Sequence, residues 1–350
     1  MSTSSEHGRE TTIVFDELKS LAERVFQRQR VPDGEARLVA SVLIEANLRG
    51  HPSHGVIRVP KWADGLKAGA INARCAPSII KETPSAAWMD GDLGLGPVVA
   101  SIASKLAAQK ARETGIGLVS VCRASHIAML QYYTEALASE GLIGAVMTNT
   151  ESGVAPYGGV DKILGTNPLS IAVPGRDGPI VLDMSTSHVA RGKIVVAKSR
   201  GEEIPAGWAI DNEGRPTTDP DAALAGALLP VGGAKGSGLA IMVDLLAGAL
   251  AGGAVGRKVR GTFHMDREAT KGDLFVAIDP EAICGLEVFL DRVEDLKADI
   301  RSSRVAPGFN RILLPGEFEM ECRQRYLREG VPITADLLED LRRRADAIAA

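Results

Sequence analysis

At the start of the chain, apolar positions recur at helical spacing. Phe15, Leu18, Leu21, Ala22 and Val25 fall on one face, which predicts an amphipathic helix over Phe15 to Arg30. Pro32-Asp33-Gly34 breaks it. Asp33 can cap a second helix from Glu35 to Arg49, with Leu38, Val39, Val42, Leu43 and Ala46 turned inward. Gly50 ends that helix by tolerating a left-handed conformation. Farther on, short apolar runs predict strands at Ser78–Lys81, Ala86–Met89, Ile116–Cys122, Leu142–Met147, Leu169–Val173, Ile180–Leu182 and Leu274–Ile278. Helical patterns fall at Val98–Thr114, Leu130–Ser139, Leu239–Ala251 and Gly285–Asp299, and one carrying Arg191 follows Ser187. The charged stretch Gly316–Ala350 reads as helix, interrupted near Pro332. Helices at both ends and strands in the middle predict an α/β (α+β) fold, a mixed sheet flanked by terminal helices.

Composition narrows the class. Hydrophobic residues make up 45% and charged residues 24% of the 350 residues, and the net charge is −4. That is a soluble globular chain, with no basic block to hold nucleic acid. Aromatics are 4%, so the core must rest on Leu, Val, Ile and Ala. Cys75, Cys122, Cys284 and Cys322 are scattered, with neither metal spacing nor disulfide density, which points to a reduced, cytoplasmic setting. The polar start of the chain, residues 1–12, reads as a frayed tail rather than a signal peptide. Gly236–Val255 is weakly polar but broken by Asp244, and a buried helix explains it better than a membrane span.

Several stretches could carry chemistry. "GDLGLGP", Gly91–Pro97, has close glycines before a helix but does not match G-x-G-x-x-G, so a tight turn is the better reading. "VGGAKGSGL", Val231–Leu239, sets Lys235 among glycines ahead of a helix. That suits a phosphate or carboxylate, and composition does not separate such a site from a flexible turn. Thr166 and Asn167 form a turn before a strand, and Ser185, Thr186 and Ser187 read first as helix caps. His126 follows a strand, in a place where ligands often bind but where a lone histidine is commonly structural. "RGHPSHGVIRVP", Arg49–Pro60, holds Ser53, His54 and Arg58. Histidine can exchange a proton near neutral pH, serine can orient it, and arginine pairs with carboxylates. Spacing alone favours a solvated loop with a capping serine. His51 reads as structural. Neither a zinc motif nor a nucleophile elbow is present in the sequence, and no metal is expected.

The order of "SHGVIRVP", "PYGGVDKILGTNPLSIAVPG", "IVLDMSTSHVARGKI", "IPAGWAIDNEGRPTTDP" and "LPVGGAKGSGLAIMVDLL" resembles the malate/L-lactate dehydrogenase family, which is distinct from the Rossmann-type enzymes. That family includes ureidoglycolate, sulfolactate and diketogulonate dehydrogenases and reductases of cyclic imine carboxylates. The resemblance implies hydride transfer between NAD or NADP and a small 2-oxo, 2-hydroxy or 2-imino acid. It also implies a non-Rossmann cofactor domain on a largely antiparallel sheet, and a homodimer. On this basis 13–122 is expected to be a helical substrate part, 123–290 the cofactor sheet, and 291–350 helices packing back on the first part.

Carried over by motif, Ser53 is a relay, His54 the proton donor and Arg58 the carboxylate anchor, as in the imine-reductase branch. The ureidoglycolate branch assigns the base to the position of His126, which stays a second candidate. Thr166, Arg191 and Gly192 fall on substrate positions. His126, Ile127, Ala128, Met129, Leu130, Asp183, Met184, Ser185, Lys235 and Gly236 fall on cofactor positions. Ile127 and Met129 stand where the family commonly has smaller or aromatic residues. Two rivals remain open in the sequence: a non-catalytic module binding a nicotinamide cofactor or small anion, and a cofactor-free lyase with His54 as base.

Overall fold

The computed structural model describes residues 10–261 and 267–346. A short strand, β1 (Glu10–Ile13), precedes α1 (Phe15–Arg28) and α2 (Asp33–Leu48). Two single 3-10 turns, Pro52–His54 and Val56–Arg58, lead into α3 (Val59–Lys67). Then come β2 (Ser78–Glu82), β3 (Ala86–Gly94), α4 (Gly96–Thr114), β4 (Ile116–Ala124), α5 (Gln131–Ser139), β5 (Ile143–Thr148), β6 (Leu169–Val173), β7 (Ile180–Met184) and α6 (Arg191–Arg200). A small excursion holds β8 (Ala209–Ile210), β9 (Pro216–Thr217), α7 (Pro220–Ala225) and β10 (Ala227–Leu228). The chain ends with α8 (Ala234–Val243), a π-helical turn at Asp244–Ala249, β11 (Gly272–Ile278), α9 (Leu286–Ser302), α10 (Glu317–Glu329), β12 (Val331–Thr334) and α11 (Ala335–Asp346).

The main sheet has seven strands in the order β2-β3-β4-β11-β5-β6-β7. Only the β3–β4 pair within it is parallel, so the sheet is mixed and largely antiparallel, as expected. Small residues let α4 lie close on it. Ala103, Ala107 and Ala111 are buried, and a Cβ on Gly117 would sit 2.0 Å from the Ala107 carbonyl. Beneath α4 and α5, Val119, Val121, Val146 and Phe275 form one core. A second core joins both ends of the chain: Leu18 and Phe26 of α1, Leu43 of α2 and Trp62 of α3 pack with Leu338 and Leu341 of α11.

The structure departs from the sequence pattern in several places. Glu10–Thr12, expected in the frayed tail, pair with Pro332–Thr334, and Ile13 is buried behind them; residues 1–9 lie outside the described residues. The interruption at Pro332 is therefore a strand. Asp33 is not a cap: Pro32 precedes the helix, and the Asp33 carboxylate accepts a hydrogen bond from Gln27 (3.0 Å). The boundary expected at 122/123 falls inside β4, which is hydrogen-bonded to β3 on one side and β11 on the other. The helix expected to be buried at Leu239–Ala251 begins at Ala234, turns π-helical at Asp244 and leaves one apolar face exposed. Asp244 is held inward by Asn149 Nδ2 (2.7 Å) and the Gly256 amide (3.0 Å). No helix of the described residues is long and apolar enough to cross a membrane.

Candidate active site

Gly50, at φ 81°, ends α2 in the left-handed conformation and releases the chain into the two 3-10 turns. Asn47, buried on α2, then locks them: its Oδ1 accepts the Val56 amide hydrogen at 2.8 Å. A Cβ on Gly55 would meet that oxygen at 1.9 Å, so only glycine fits between the turns. The outcome is a rigid pair of turns rather than a solvated loop. Ser53 caps no helix. Its hydroxyl lies 3.0 Å from His54 Nδ1, while Arg58 Nε donates to the Ser53 carbonyl at 2.7 Å. Serine, histidine and arginine thus form one hydrogen-bonded unit.

His126 comes to the same place from the end of β4. Its ring stacks on that of His54, with centroids 5.6 Å apart and planes 30° apart, and Trp62 of α3 stands 6.1 Å away on His126. The segment after β4 is tightly braced. Ser125 Oγ accepts the Gly96 amide hydrogen (2.8 Å), Tyr133 donates its hydroxyl to the Ile127 carbonyl (2.7 Å), and the Ala128 amide donates to His126 Nδ1 (3.0 Å). Ile127, Ala128, Met129 and Leu130 are all buried.

Burial, followed by the charge of Arg58 and then of His51, draws the pKa of His54 down to about 3. The ring keeps a partial opening to solvent, yet its surroundings are dense and carry positive charge. His126 is held well below its usual value by burial, then by Arg58, His54 and the buried Lys271. Lys271 is itself gripped by Asp273, with Nζ 2.5 Å from Oδ1. Both imidazoles are therefore neutral at pH 7. His51 Nε2 lies 3.5 Å from a Glu319 carboxylate oxygen, which brings α10 beside the turns.

Other expected residues gather around this centre. The first turn of α6 abuts Ser53: a Cβ on Gly192 would lie 3.7 Å from the Ser53 Cβ, and Arg191 is the residue before it. Asp183, near the end of β7, accepts the Gln131 amide hydrogen (2.7 Å) at the start of α5, next to Leu130. Burial raises its pKa to about 6. Met184 pairs with Leu169 across the β6–β7 ladder. Gln131, Asp183, Gly316, Phe318 and Glu319 help line a cleft of about 320 Å³. Ser185 and Ser187 are not helix caps: their hydroxyls donate to the Ser187 and Val189 carbonyls, and Ala190 precedes α6 without a side-chain cap.

Thr166 is linked by backbone hydrogen bonds to the segment that leads to Lys235. The Thr186 amide donates to the Thr166 carbonyl and the Val231 amide to the Thr186 carbonyl, each at 2.9 Å. From Val231 the chain turns through Gly232 and Gly233, both at positive φ, into α8. Lys235 is exposed in its first turn, and a Cβ on Gly236 would strike the Val231 carbonyl at 1.9 Å. Gly233 offers no side-chain cap to the helix. An exposed lysine in the first turn of a helix, whose N-terminal end favours negative charge, suits an anionic group such as a cofactor phosphate. Among the described residues, no group of His, Cys, Asp and Glu could hold a metal ion.

Asn47, Tyr133 and Glu319 escaped the sequence reading. Asn47 had a signal: it is a polar residue beside the apolar Ala46 and Leu48, on a helix otherwise turned to the core. Tyr133 and Glu319 had none, because their partners lie on other elements.

Comparison with known proteins bears on the family and the fold. Residues 13–342 match the malate/L-lactate dehydrogenase family model. The chain is 44% identical over 324 residues to the L-sulfolactate dehydrogenase of Methanocaldococcus jannaschii, covering 93% of each. It is 42% identical over 334 residues to the malate dehydrogenase of Pyrococcus abyssi, covering 93% of this chain and 92% of that one. The solved structure of the Methanocaldococcus jannaschii sulfolactate dehydrogenase superposes with a TM-score of 0.92 over 96% of this chain and 97% of that one. With the motifs, the sheet and the overlay in agreement across nearly the whole length, the chain belongs to the malate/L-lactate dehydrogenase family.

Proposed function

We propose that the protein is a dehydrogenase of small 2-hydroxy acids, or a reductase of the corresponding 2-oxo or cyclic 2-imino acids, using NAD or NADP. The observation that carries this is the closed unit of Ser53, His54 and Arg58, with His126 stacked against it. Arg58 holds the substrate carboxylate, and Arg191 and Gly192, beside Ser53, with Thr166, complete the substrate side. The 126–130 segment, Asp183 to Ser185, and Lys235 with Gly236 hold the cofactor, its phosphates at the start of α8. The nicotinamide, when bound, supplies or accepts the hydride at the substrate's C2. His54, oriented by Ser53, gives a proton to the 2-oxygen in reduction and takes it back in oxidation. The sulfolactate and malate activities of the relatives suit a carboxylate anchor with a second cation nearby.

The protein is further proposed to act as a homodimer, supported by the exposed apolar face that continues from α8.

The test is NADH and NADPH oxidation with pyruvate, oxaloacetate, sulfopyruvate and a cyclic imine acid. At least one pairing turns over, and His54→Ala lowers kcat by about 10²–10⁴-fold while cofactor affinity stays near wild type. Cofactor binding without turnover of any acid would favour the binding-module reading. Failure to bind either cofactor would leave the cofactor-free lyase.

A further inference from the structure

His126 enters the site with its tautomer already set. A backbone amide can only donate, so the Ala128 hydrogen bond (3.0 Å) requires a lone pair on Nδ1. The neutral ring therefore carries its one proton on Nε2. The same contact fixes the ring's orientation, because a half-turn would set a ring carbon against a buried amide and leave that amide unpaired. Ala128 holds the arrangement at φ 63°, a left-handed conformation that strains a residue with a side chain. Tyr133 braces the segment through the Ile127 carbonyl, and His54 and Trp62 stand against the ring. Among the described residues, no hydrogen-bond partner takes the Nε2 proton.

We propose that His126 serves the reaction as a neutral hydrogen-bond donor, pointing Nε2–H at the substrate's 2-oxygen, and that it does not transfer a proton. This rests on the hydride-transfer reading above and assigns the second histidine within it. A base needs a free lone pair facing the substrate. On His126 the lone pair is spent on Ala128 and Nε2 is already protonated. In reduction the hydride pair enters C2 and the carbonyl π pair moves onto oxygen. His126 meets that growing negative charge with a hydrogen bond and keeps its proton, while His54 delivers the proton that completes the hydroxyl. Oxidation reverses each step. A neutral imidazole is the better donor here. It polarises the oxygen without a buried positive charge beside Arg58, and burial with the charges of Arg58, His54 and Lys271 keeps it neutral.

Two measurements test this. Nitrogen-15 NMR on histidine-labelled wild-type protein at pH 7 should show one neutral ring with unprotonated Nδ1 and protonated Nε2, absent from the spectrum of His126→Phe. The opposite tautomer, or an imidazolium, overturns the proposal, and neither result depends on turnover. In kinetics, His126→Phe keeps a flat ring but loses the donor, and should lower kcat by about 10²–10³-fold with the shape of the pH profile retained. His126→Gln restores an N–H near the Nε2 position and should recover at least about tenfold of that loss. If His126→Gln is as inactive as His126→Phe and both lose the ionising limb of the pH profile, His126 is the base after all. A wild-type enzyme that turns over no acid in the panel removes the functional reading and leaves the tautomer result standing.

Discussion

His54 keeps a neutral ring at every physiological pH, because burial and the charge of Arg58 draw its pKa to about 3, and the proposed proton transfer inherits that. The sign of the pH dependence follows. Oxidation of a hydroxy acid needs the neutral ring, so its kcat/KM is flat with respect to this group from about pH 5 upward and falls below about pH 4. Reduction needs the proton on the ring, so its kcat/KM declines toward tenfold per pH unit across the neutral range. Arg58→Gln removes the second cause of the shift but not burial, the first. The acid limb of oxidation should therefore move up in pH while staying below 6.5, the ordinary value for the group. An acid limb already near that value in the wild type would contradict the assignment. At this scale the sequence was legible through resemblance rather than physics. Spacing made Ser53, His54 and Arg58 look like a loop, because the feature that stiffens it, Asn47 reaching Val56, spans a helix end. The tautomer of His126 was invisible, since it depends on a left-handed alanine that no side chain announces.

Among the elements, the glycines of "GDLGLGP" carry more than the turn they were read as. A Cβ on Gly91 would meet the Arg123 carbonyl at 2.9 Å, and one on Gly96 would meet the His126 carbonyl at 2.1 Å. These glycines let β3 and the start of α4 nest against the backbone that carries His126. Gly96→Ala must push α4 away from rigid backbone, at a cost of about 1–3 kcal/mol in unfolding free energy. It should also lower kcat, because the displaced segment holds the His126 ring. Gly34→Ala is the control: nothing lies within 4 Å of its Cβ near the start of α2, and helix propensity should stabilise the fold by about 0.5–1 kcal/mol without touching kcat. Urea unfolding and steady-state rates on the two variants check both halves, and equal stability losses would refute the steric argument. Periodicity located α1, α2, α4, α5 and the strands of the main sheet to within a few residues. It missed β1, which pairs with β12 at the far end of the chain, a pairing no local pattern encodes.

The whole molecule raises the question of what covers the helix after Lys235. From Gly236 to Ala251 the sequence is apolar apart from Ser237 and Asp244, and a helix of that kind is normally enclosed. Within one chain it is not. Ala240, Val243 and Ala247 are buried, while Met242, Leu245, Leu246 and Leu250 are about half exposed. Trp88 extends the patch: its indole donates to the Ala251 carbonyl at 2.8 Å, and its ring lies against Gly252. A second copy, meeting the same face through a two-fold axis, would enclose it without any other partner. The sequence reading buried this helix within its own chain, because hydropathy does not say whether a covering surface belongs to the same chain or another. Sedimentation of the wild type should give the mass of two chains. The double variant Leu246→Glu, Leu250→Glu places charges on the exposed side of the helix and leaves Ala240, Val243 and Ala247 in place. It should sediment as a single chain with an unchanged circular dichroism spectrum. A wild type that is monomeric at micromolar concentration, or a charged variant that remains dimeric, would remove this face as the subunit contact.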